Sequence, residues 1–529
     1  FDIFRKSYLT FACECEIHGE VNMLSIVQSC ALMGIDSVDI AVEVNTNDGG
    51  ELRFVIVGLP DASIRESYDR VFSALKNSGY AIPRARTTVN LAPSYIRKEG
   101  SFYDLPIALG LIQSTGQSHL RGLNDFIIAG ELGLSGKIRA IKGGLALAIR
   151  AKKKGKKLLL PVESADEASM VDGVEVFAVR SLGEAVRFLS GEVVLQPLEH
   201  RNFLLETETE QDCQDFSEIR GQFALRRAME VAVAGGHNIL MIGPPGVGKS
   251  MVAKCIPGIM SVPTFDEFLE TMSIYSAAGL LIGANRARFR RPFRAPHHTI
   301  SSAGLLGGGG APNPGEISLS HNGVLFLDEL PEFRRDILEA LRQPLEDGEI
   351  TISRSSGKTR FPSNAMVVAA MNPCPCGHLW DKGRRCKCSK IEVQRYRSRI
   401  SGPMIDRFDI HVCVHAVPID CIQSNVPAES SAEIKSRIDV ATQIQVERLK
   451  NSKNKRNSRM SHGEIMKFCE IDAETAKLLK MAVAQLSLSA RAYDKVLKVS
   501  RTIADLGRSE KIVQNHMLEA LQYRPFDVN

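Results

Sequence analysis

The sequence predicts a multidomain α/β protein with a helical C-terminal part, and three observations carry that expectation. At 529 residues the chain is too long for one core, and at ~100–200 residues per domain it divides into about three. Apolar strand-like runs alternate with helical patterns from Val38 onward, as layered α/β folds require. The octet Gly243-Pro244-Pro245-Gly246-Val247-Gly248-Lys249-Ser250 follows the apolar run Ile239 to Ile242 and precedes a helical segment, Met251 to Cys255. Strand, glycine-rich loop and helix in that order form a nucleotide site. The glycines let successive N–H groups turn inward, Lys249 reaches the β- and γ-phosphates of ATP, and the Ser250 hydroxyl takes Mg²⁺.

Composition bounds the rest. Hydrophobic residues make up 44% and charged residues 24%, which is ordinary for globular chains. The net charge is +5, from 66 Lys+Arg against 61 Asp+Glu, so a nucleic-acid partner has to be argued from local patches. No apolar run approaches the ~18 residues of a membrane helix; the best, Leu105 to Ile112, reads as a core segment. A soluble protein with no membrane partner is expected. Of the twelve cysteines, four fall between Cys374 and Cys388 and the others scatter, the usage of a reducing cytoplasm with one metal cluster. Residues 1–22, ahead of Met23, lack the plan of a signal peptide and read as an N-terminal extension.

Residues 23–190 read as one α/β domain, with strands at Val38 to Val44 and Leu52 to Val57 and a helix from Asp61 to Ser78. Two stretches in it, Arg97 to Ile112 (RKEGSFYDLPIALGLI) and Gly130 to Ser164, resemble the proteolytic domain of Lon-type proteases. Those enzymes cut peptides with a serine whose proton is taken by a lysine of depressed pKa. Here the serine's surroundings read Ser101-Phe102-Tyr103-Asp104, and Gly143-Gly144-Leu145-Ala146 has no lysine after its glycines; Lys142 stands before them. A proteolytically inactive domain with a structural or assembly role is expected, since a fold does not carry its chemistry with it. The run Lys152, Lys153, Lys154, Lys156 and Lys157 reads as a solvated helix end, with a turn at Gly155 and a buried strand after it. Residues 191–217 read as an interdomain linker.

The next stretch, 218–425, carries the chemistry. Gly323 to Glu329 is a buried strand ending in two carboxylates. Asp328 would hold Mg²⁺ through its waters, and Glu329 would orient and polarise the attacking water. A further strand, Ala365 to Met371, runs into Asn372, whose place resembles that of the sensor asparagine in AAA+ ATPases. Gly402 to Asp409 contains Arg407 and resembles the element bearing the arginine finger in the minichromosome-maintenance and chelatase branch of that superfamily, with Arg399 as the other candidate. A finger acting on a neighbour's nucleotide needs a ring, and the resemblance implies a homo-hexamer.

Two insertions add to this motor. Ala284 to Glu316 is arginine-rich and then glycine-rich, and Ile350 to Phe361 reads as a hairpin around a glycine turn. Arg354, Lys358 and Arg360 on that hairpin are the expected DNA contacts, tracking phosphates without reading bases. His297 and His298 read as structural. Cys374-x-Cys376 and Cys386-x-Cys388 suit a tetrahedral Zn²⁺ with every position filled, hence a structural site, with His378 as a substitute ligand. In the helical remainder, 426–529, Ser489 reads as an N-cap, and Arg491 behind it resembles the second-sensor arginine that reaches the nucleotide from a lid. For the basic loop Lys450 to Arg459, nucleic-acid contact and simple solvation both stay open.

Taken in order, the Lon-like front, GPPGVGKS, FRAPHHTIS, NPCPCG with CKC, and SGPMIDRFD are similar to the magnesium chelatase-like AAA+ ATPases over nearly the whole chain from Met23. The resemblance implies a Lon protease-like α/β domain, an AAA+ P-loop NTPase α/β core and a C-terminal helical lid. It implies further an ATP-driven hexameric DNA helicase acting on single-stranded and branched DNA. Such a helicase promotes branch migration during homologous recombination of incoming DNA in natural transformation, with recombination proteins as partners. The rival is a protein-remodelling or chelatase-type motor without DNA translocation, which would not be expected to carry the Lon-like domain or the cysteine cluster.

Overall fold

The computed structural model describes residues 24–47, 53–83, 86–200, 214–282, 289–309, 312–354, 357–380, 383–417, 428–452, 454–486 and 489–524. The expected extension 1–22, the middle of the linker (201–213), the start of the arginine-rich insertion (284–288) and the start of the lid lie outside them. By internal contacts the chain divides into two units, one ending at His200 and the other holding the rest, with the turn Met33–Asp36 grouped with the second.

The first unit has a four-stranded sheet made of β1 (Leu24–Met33), β2 (Asp36–Thr46), β3 (Phe54–Val57) and β4 (Thr87–Ala92), in the order β1-β2-β4-β3. β2 runs antiparallel and β3 parallel to β4. Ile40, Val42 and Val44 are fully buried, the period of two that puts one strand face on the core. The helix expected from Asp61 to Ser78 is in fact two, α1 (Ala62–Arg65) and α2 (Ser67–Asn77). Asp61 caps α1 by accepting from the Ile64 N–H at 2.8 Å. At the break, Arg70 donates to the Ser63 carbonyl at 2.9 Å, so a side chain satisfies the group that the next helical turn would have taken.

The apolar run Leu105 to Ile112 lies in α3 (Asp104–Ser114) and is buried throughout. A three-stranded parallel sheet follows, from β5 (Phe126–Ile128), β6 (Lys157–Pro161) and β7 (Val176–Val179), with α4 (Gly144–Lys154) leading into β6. Gly155 ends α4 in the left-handed region at φ 62°, a conformation glycine adopts without cost. Lys152 and Lys153 are exposed, Lys154 pairs with Asp39 at 3.1 Å and Lys157 with Glu175 at 2.8 Å, as a solvated face should. The front of the expected linker is tied to this unit: the Leu198 N–H donates to the Val176 carbonyl at 2.8 Å.

The second unit is built on a parallel five-stranded sheet of β8 (Ile239–Ile242), β9 (Phe293–Arg294), β10 (Val324–Leu327), β13 (Met366–Met371) and β14 (Ile410–Cys413). Between β10 and β13 in the chain comes a separate hairpin, β11 (Glu349–Arg354) and β12 (Gly357–Pro362). The sheet order is β9-β10-β13-β8-β14. Every residue of β8, β10 and β13 is buried, because helices cover both faces of a parallel sheet. Ile242 lies beside Met371 and Leu327 beside Ala369. The segments leaving β8, β10 and β13 therefore emerge along one edge, where open α/β sheets bind ligands.

Helix α5 (Phe223–Gly235) precedes β8, α6 (Lys249–Ile259) follows the loop after it, and α7 (Lys390–Arg397) precedes β14. The C-terminal part is helical: α8 (Ser431–Arg448), α9 (His462–Phe468), α10 (Ala473–Leu486), α11 (Ala490–Leu506) and α12 (Gln514–Gln522). Ser389, Ser430 and Ser461 open α7, α8 and α9 with capping boxes closed by Glu392, Glu433 and Glu464, each cap contributing ~0.5–2 kcal/mol. Val496, Leu497 and Ile503 of α11 share one hydrophobic core with Ile239, Met241 and Val412. The basic loop before α9 is tied down in its second half, while Lys450 and Asn451 at its start are exposed. Arg456 donates to Thr442 Oγ1 at 2.8 Å and to the Ala234 carbonyl at 3.3 Å, and Arg459 to the Leu345 carbonyl at 2.9 Å.

Candidate nucleotide site

The loop Gly243–Ser250 turns between β8 and α6. Gly246 and Gly248 sit at φ 76° and 88°, in the left-handed region that side chains rarely enter. A Cβ on Gly243 would lie 2.4 Å from the Val414 carbonyl oxygen. Lys249 is buried and donates to the Gly243 carbonyl at 2.6 Å, the Pro244 carbonyl at 2.9 Å and Asn372 Oδ1 at 3.2 Å. Burial lowers its pKa to about 8, against the pull of the Asp328 and Glu329 carboxylates. Its ammonium is thus held at the mouth of the loop by weak neutral acceptors, which phosphate oxygens would outcompete.

Ser250 Oγ donates to Asp328 Oδ2 at 2.6 Å, joining residues far apart in sequence through the adjacency of their elements. A hydroxyl and a carboxylate at the foot of a phosphate loop are the donors that suit Mg²⁺, a hard cation that keeps several of its waters. Asn372 leaves β13, the strand between those of the loop and of Asp328, and from there its Oδ1 accepts from Lys249. Glu329 adopts φ 52°, a strained conformation for a non-glycine residue of the kind that gathers at functional sites. Its carboxylate lies 3.2 Å from His298 Nδ1, and the His298 ring packs on His297 with centroids 4.1 Å apart. His298, read from sequence as structural and not as a metal ligand, faces the candidate base; the adjacency of β9 and β10, which brings it there, has no local signal.

The three arginines fall elsewhere. Arg407 follows a one-turn helix, Gly402–Ile405, and is mostly buried with its guanidinium 2.5 Å from Glu346. Arg399 is half exposed and pairs with Glu332 at 2.8 Å. Arg491 is exposed in the first turn of α11, behind Ser489, whose Oγ accepts from the Ala492 N–H at 3.2 Å. No hydrogen bond or ion pair among the described residues joins any of them to the cluster of Lys249, Ser250, Asp328 and Asn372.

The Arg407 segment is nevertheless anchored to the helical part. Lys495 of α11 donates to the Phe408 carbonyl at 3.2 Å and pairs with Asp409 at 3.1 Å. Asp409 also meets His237 Nδ1 at 3.1 Å, and His237 Nε2 meets Thr502 Oγ1 at 2.8 Å. Burial pushes the Asp409 carboxyl up, but Lys495 and His237 together hold it below the usual carboxylate range. Lys495→Met leaves that carboxylate buried and half-paired, so a loss of ~3–5 kcal/mol is expected, read from the denaturation midpoint. A loss below ~1 kcal/mol would mean that His237 alone satisfies Asp409.

The four thiols of Cys374, Cys376, Cys386 and Cys388 lie within 4.8 Å of one another. Three of the sulfur pairs are 3.4, 3.6 and 3.7 Å apart, close to the edge of about 3.8 Å in a tetrahedron of sulfurs ~2.3 Å from a central Zn²⁺. The donor set fits zinc with no position left for substrate. Backbone N–H groups of His378 and Lys387 aim at Cys376 and lower its thiol to about 6, whereas burial pushes the Cys374 thiol up to about 12. On the hairpin, Lys358 pairs in register with Ser353 and Arg360 with Thr351. Lys358 and Arg360, two residues apart and both exposed, share a face; Arg354 stands opposite Gly357 at the tip.

Among the described residues of the first unit, no such cluster surrounds Ser101. The Ser101 hydroxyl donates to the Glu131 carboxylate, Tyr103 and Asp104 beside it are fully buried, and Asp104 is locked to Arg70 at 2.7 Å. Ala146, at the expected lysine position, is buried, and Lys98 turns its ammonium to the Pro93 carbonyl.

Known proteins resemble this chain over most of its length. The family described as magnesium chelatase, subunit ChlI, matches residues 215–422, its companion subunit ChlI of Mg-chelatase matches 42–164, and the ChlI C-terminal family matches 428–524. The protein YifB of Escherichia coli is 40% identical over 508 residues, 95% of this chain and 97% of its own length. Competence protein ComM of Haemophilus influenzae is 41% identical over 505 residues, again 95% and 97% of the two chains. This chain belongs to the magnesium chelatase-like YifB/ComM family. The likeness of this family member to Lon is partial: Lon protease 2 of Bacillus subtilis is 29% identical over 163 residues, 28% of this chain. Among the described residues, no helix of the family member is long and apolar enough to cross a membrane.

Proposed function

We propose that this chain is the subunit of a hexameric, ATP-driven DNA helicase that promotes branch migration when incoming DNA is integrated by homologous recombination in natural transformation. The observation that carries the ATPase is the meeting of Lys249, Ser250, Asp328 and Asn372 at one edge of a parallel sheet. In this reading Lys249 binds the β- and γ-phosphates, Asn372 hydrogen-bonds the γ-phosphate or the water, and Glu329 holds and deprotonates that water. Ser250 and Asp328 hold Mg²⁺, which when bound neutralises charge on the phosphates. Arg407 serves the neighbouring subunit's nucleotide, and Arg491 reaches nucleotide from the helical lid.

The DNA assignment is supported by the basic hairpin and by the competence role in the name of the Haemophilus relative. Lys358, Arg360 and Arg354 would follow the backbone of a strand, a contact that depends on salt and not on sequence. The test is hydrolysis with and without single-stranded and forked DNA, paired with strand separation. DNA should stimulate the wild type. Lys358→Ala should keep the DNA-free rate while losing most stimulation and unwinding, and the salt slope of DNA binding should shrink by about one. A wild type that ignores DNA and separates no strands would favour a protein-remodelling motor.

A further inference from the structure

We propose that the four-cysteine knuckle clamps the phosphate loop, so that the metal it holds sets nucleotide affinity and Gly377 acts as a positioning residue for ATP. The inference rests on the zinc and nucleotide readings above and assigns the metal a task in the nucleotide site.

The knuckle begins two residues beyond Asn372, whose Oδ1 accepts from Lys249. Its first turn closes with the Gly377 N–H on the Cys374 carbonyl at 3.0 Å and takes φ 81° at Gly377. There the turn meets the loop: a Cβ on Gly377 would lie 2.7 Å from Cδ and 3.3 Å from Cγ of Pro245. Glycine is required twice over, by its backbone angle and by the proline ring against it. On its other side the segment is held by α7, where Arg397 donates to the Pro373 carbonyl at 3.3 Å and stacks over Trp380 at 5.6 Å.

Among the described residues from 372 to 389 there is no helix or strand, so no backbone ladder gives this segment its shape. What converges inside it is the four sulfurs, at spacings a tetrahedral metal sets. Metal binding in such a segment is local folding energy. With metal bound, the turn at Gly377 is a fixed wall behind Pro245, and the loop keeps the shape in which its N–H groups face the phosphates. Without it the wall softens, and part of the binding energy goes into ordering the loop.

The test measures metal content and affinity for a fluorescent ATP analogue on the full chain as purified, after stripping with a chelator, and after reloading with Zn²⁺. Stripping should weaken binding about tenfold, and reloading should restore it. Gly377→Ala, with all four cysteines intact, should keep its zinc, raise KM for ATP about tenfold and leave kcat within about twofold, since a close contact is forced apart without touching a catalytic group. If circular dichroism shows that stripping unfolds the chain, Gly377→Ala decides the matter. Wild-type affinity in the stripped, folded chain or in zinc-loaded Gly377→Ala would overturn the clamp. A wild type that neither contains nor takes up metal would remove the zinc site itself, and one that carries zinc but binds no analogue would remove the nucleotide site.

Discussion

Arg407→Ala should yield a chain that assembles and binds ATP as the wild type does but turns it over about a thousandfold more slowly, the effect of withdrawing a finger that neutralises charge on the γ-phosphoryl group. Its fold should survive. Glu346, the partner left behind, is half exposed and can be solvated, so losing this partly buried ion pair costs on the order of 1 kcal/mol. The Arg407 carbonyl still accepts from Asn238 at 3.1 Å, and Lys495 still grips the loop at Phe408 and Asp409. Within one chain Glu346 occupies the guanidinium, so service to a neighbour requires it to exchange that carboxylate for phosphate. Hydrolysis rate, mass by light scattering and analogue binding on one preparation check the expectation. Normal turnover would take Arg407 out of the role and pass it to Arg399, which is half exposed beside Glu332.

Glu329→Gln should bind ATP and hydrolyse it ~10²–10⁴-fold more slowly, because the amide keeps the shape of the side chain but cannot accept the water's proton. Asp328 and Ser250 remain bonded to each other, so nucleotide affinity should change little. Single-turnover hydrolysis beside equilibrium binding separates the two effects. A rate within severalfold of wild type would move the base elsewhere. The strained backbone at Glu329 and its contact with His298 show a carboxylate held in place by tertiary structure.

Features with local causes were readable in the sequence. The phosphate loop, its flanking strand and helix, and the hairpin at Arg354 to Arg360 are each specified by residues within a few positions of one another. So are the starts of α7, α8 and α9, where a serine is followed three residues later by a glutamate. The position of Asn372 at the end of a buried strand was also legible: it follows a continuous apolar run, and such runs pair in the sheet interior. What escaped depends on distant partners. The break between α1 and α2 follows from Arg70, which is turned toward Asp104 on another helix. Arg456 and Arg459 look like solvent residues until the carbonyls of Ala234 and Leu345 are brought to them. Glu346 on Arg407 and His298 on Glu329 likewise join residues that no periodicity connects.

We propose that hydrolysis belongs to an assembly in which neighbours share each nucleotide. The most direct test is the ATPase rate per subunit across a dilution series, with the mass distribution recorded on the same samples. The rate should rise with the fraction of hexamer and fall toward zero as rings dissociate. A constant full rate in a population of single chains would contradict it.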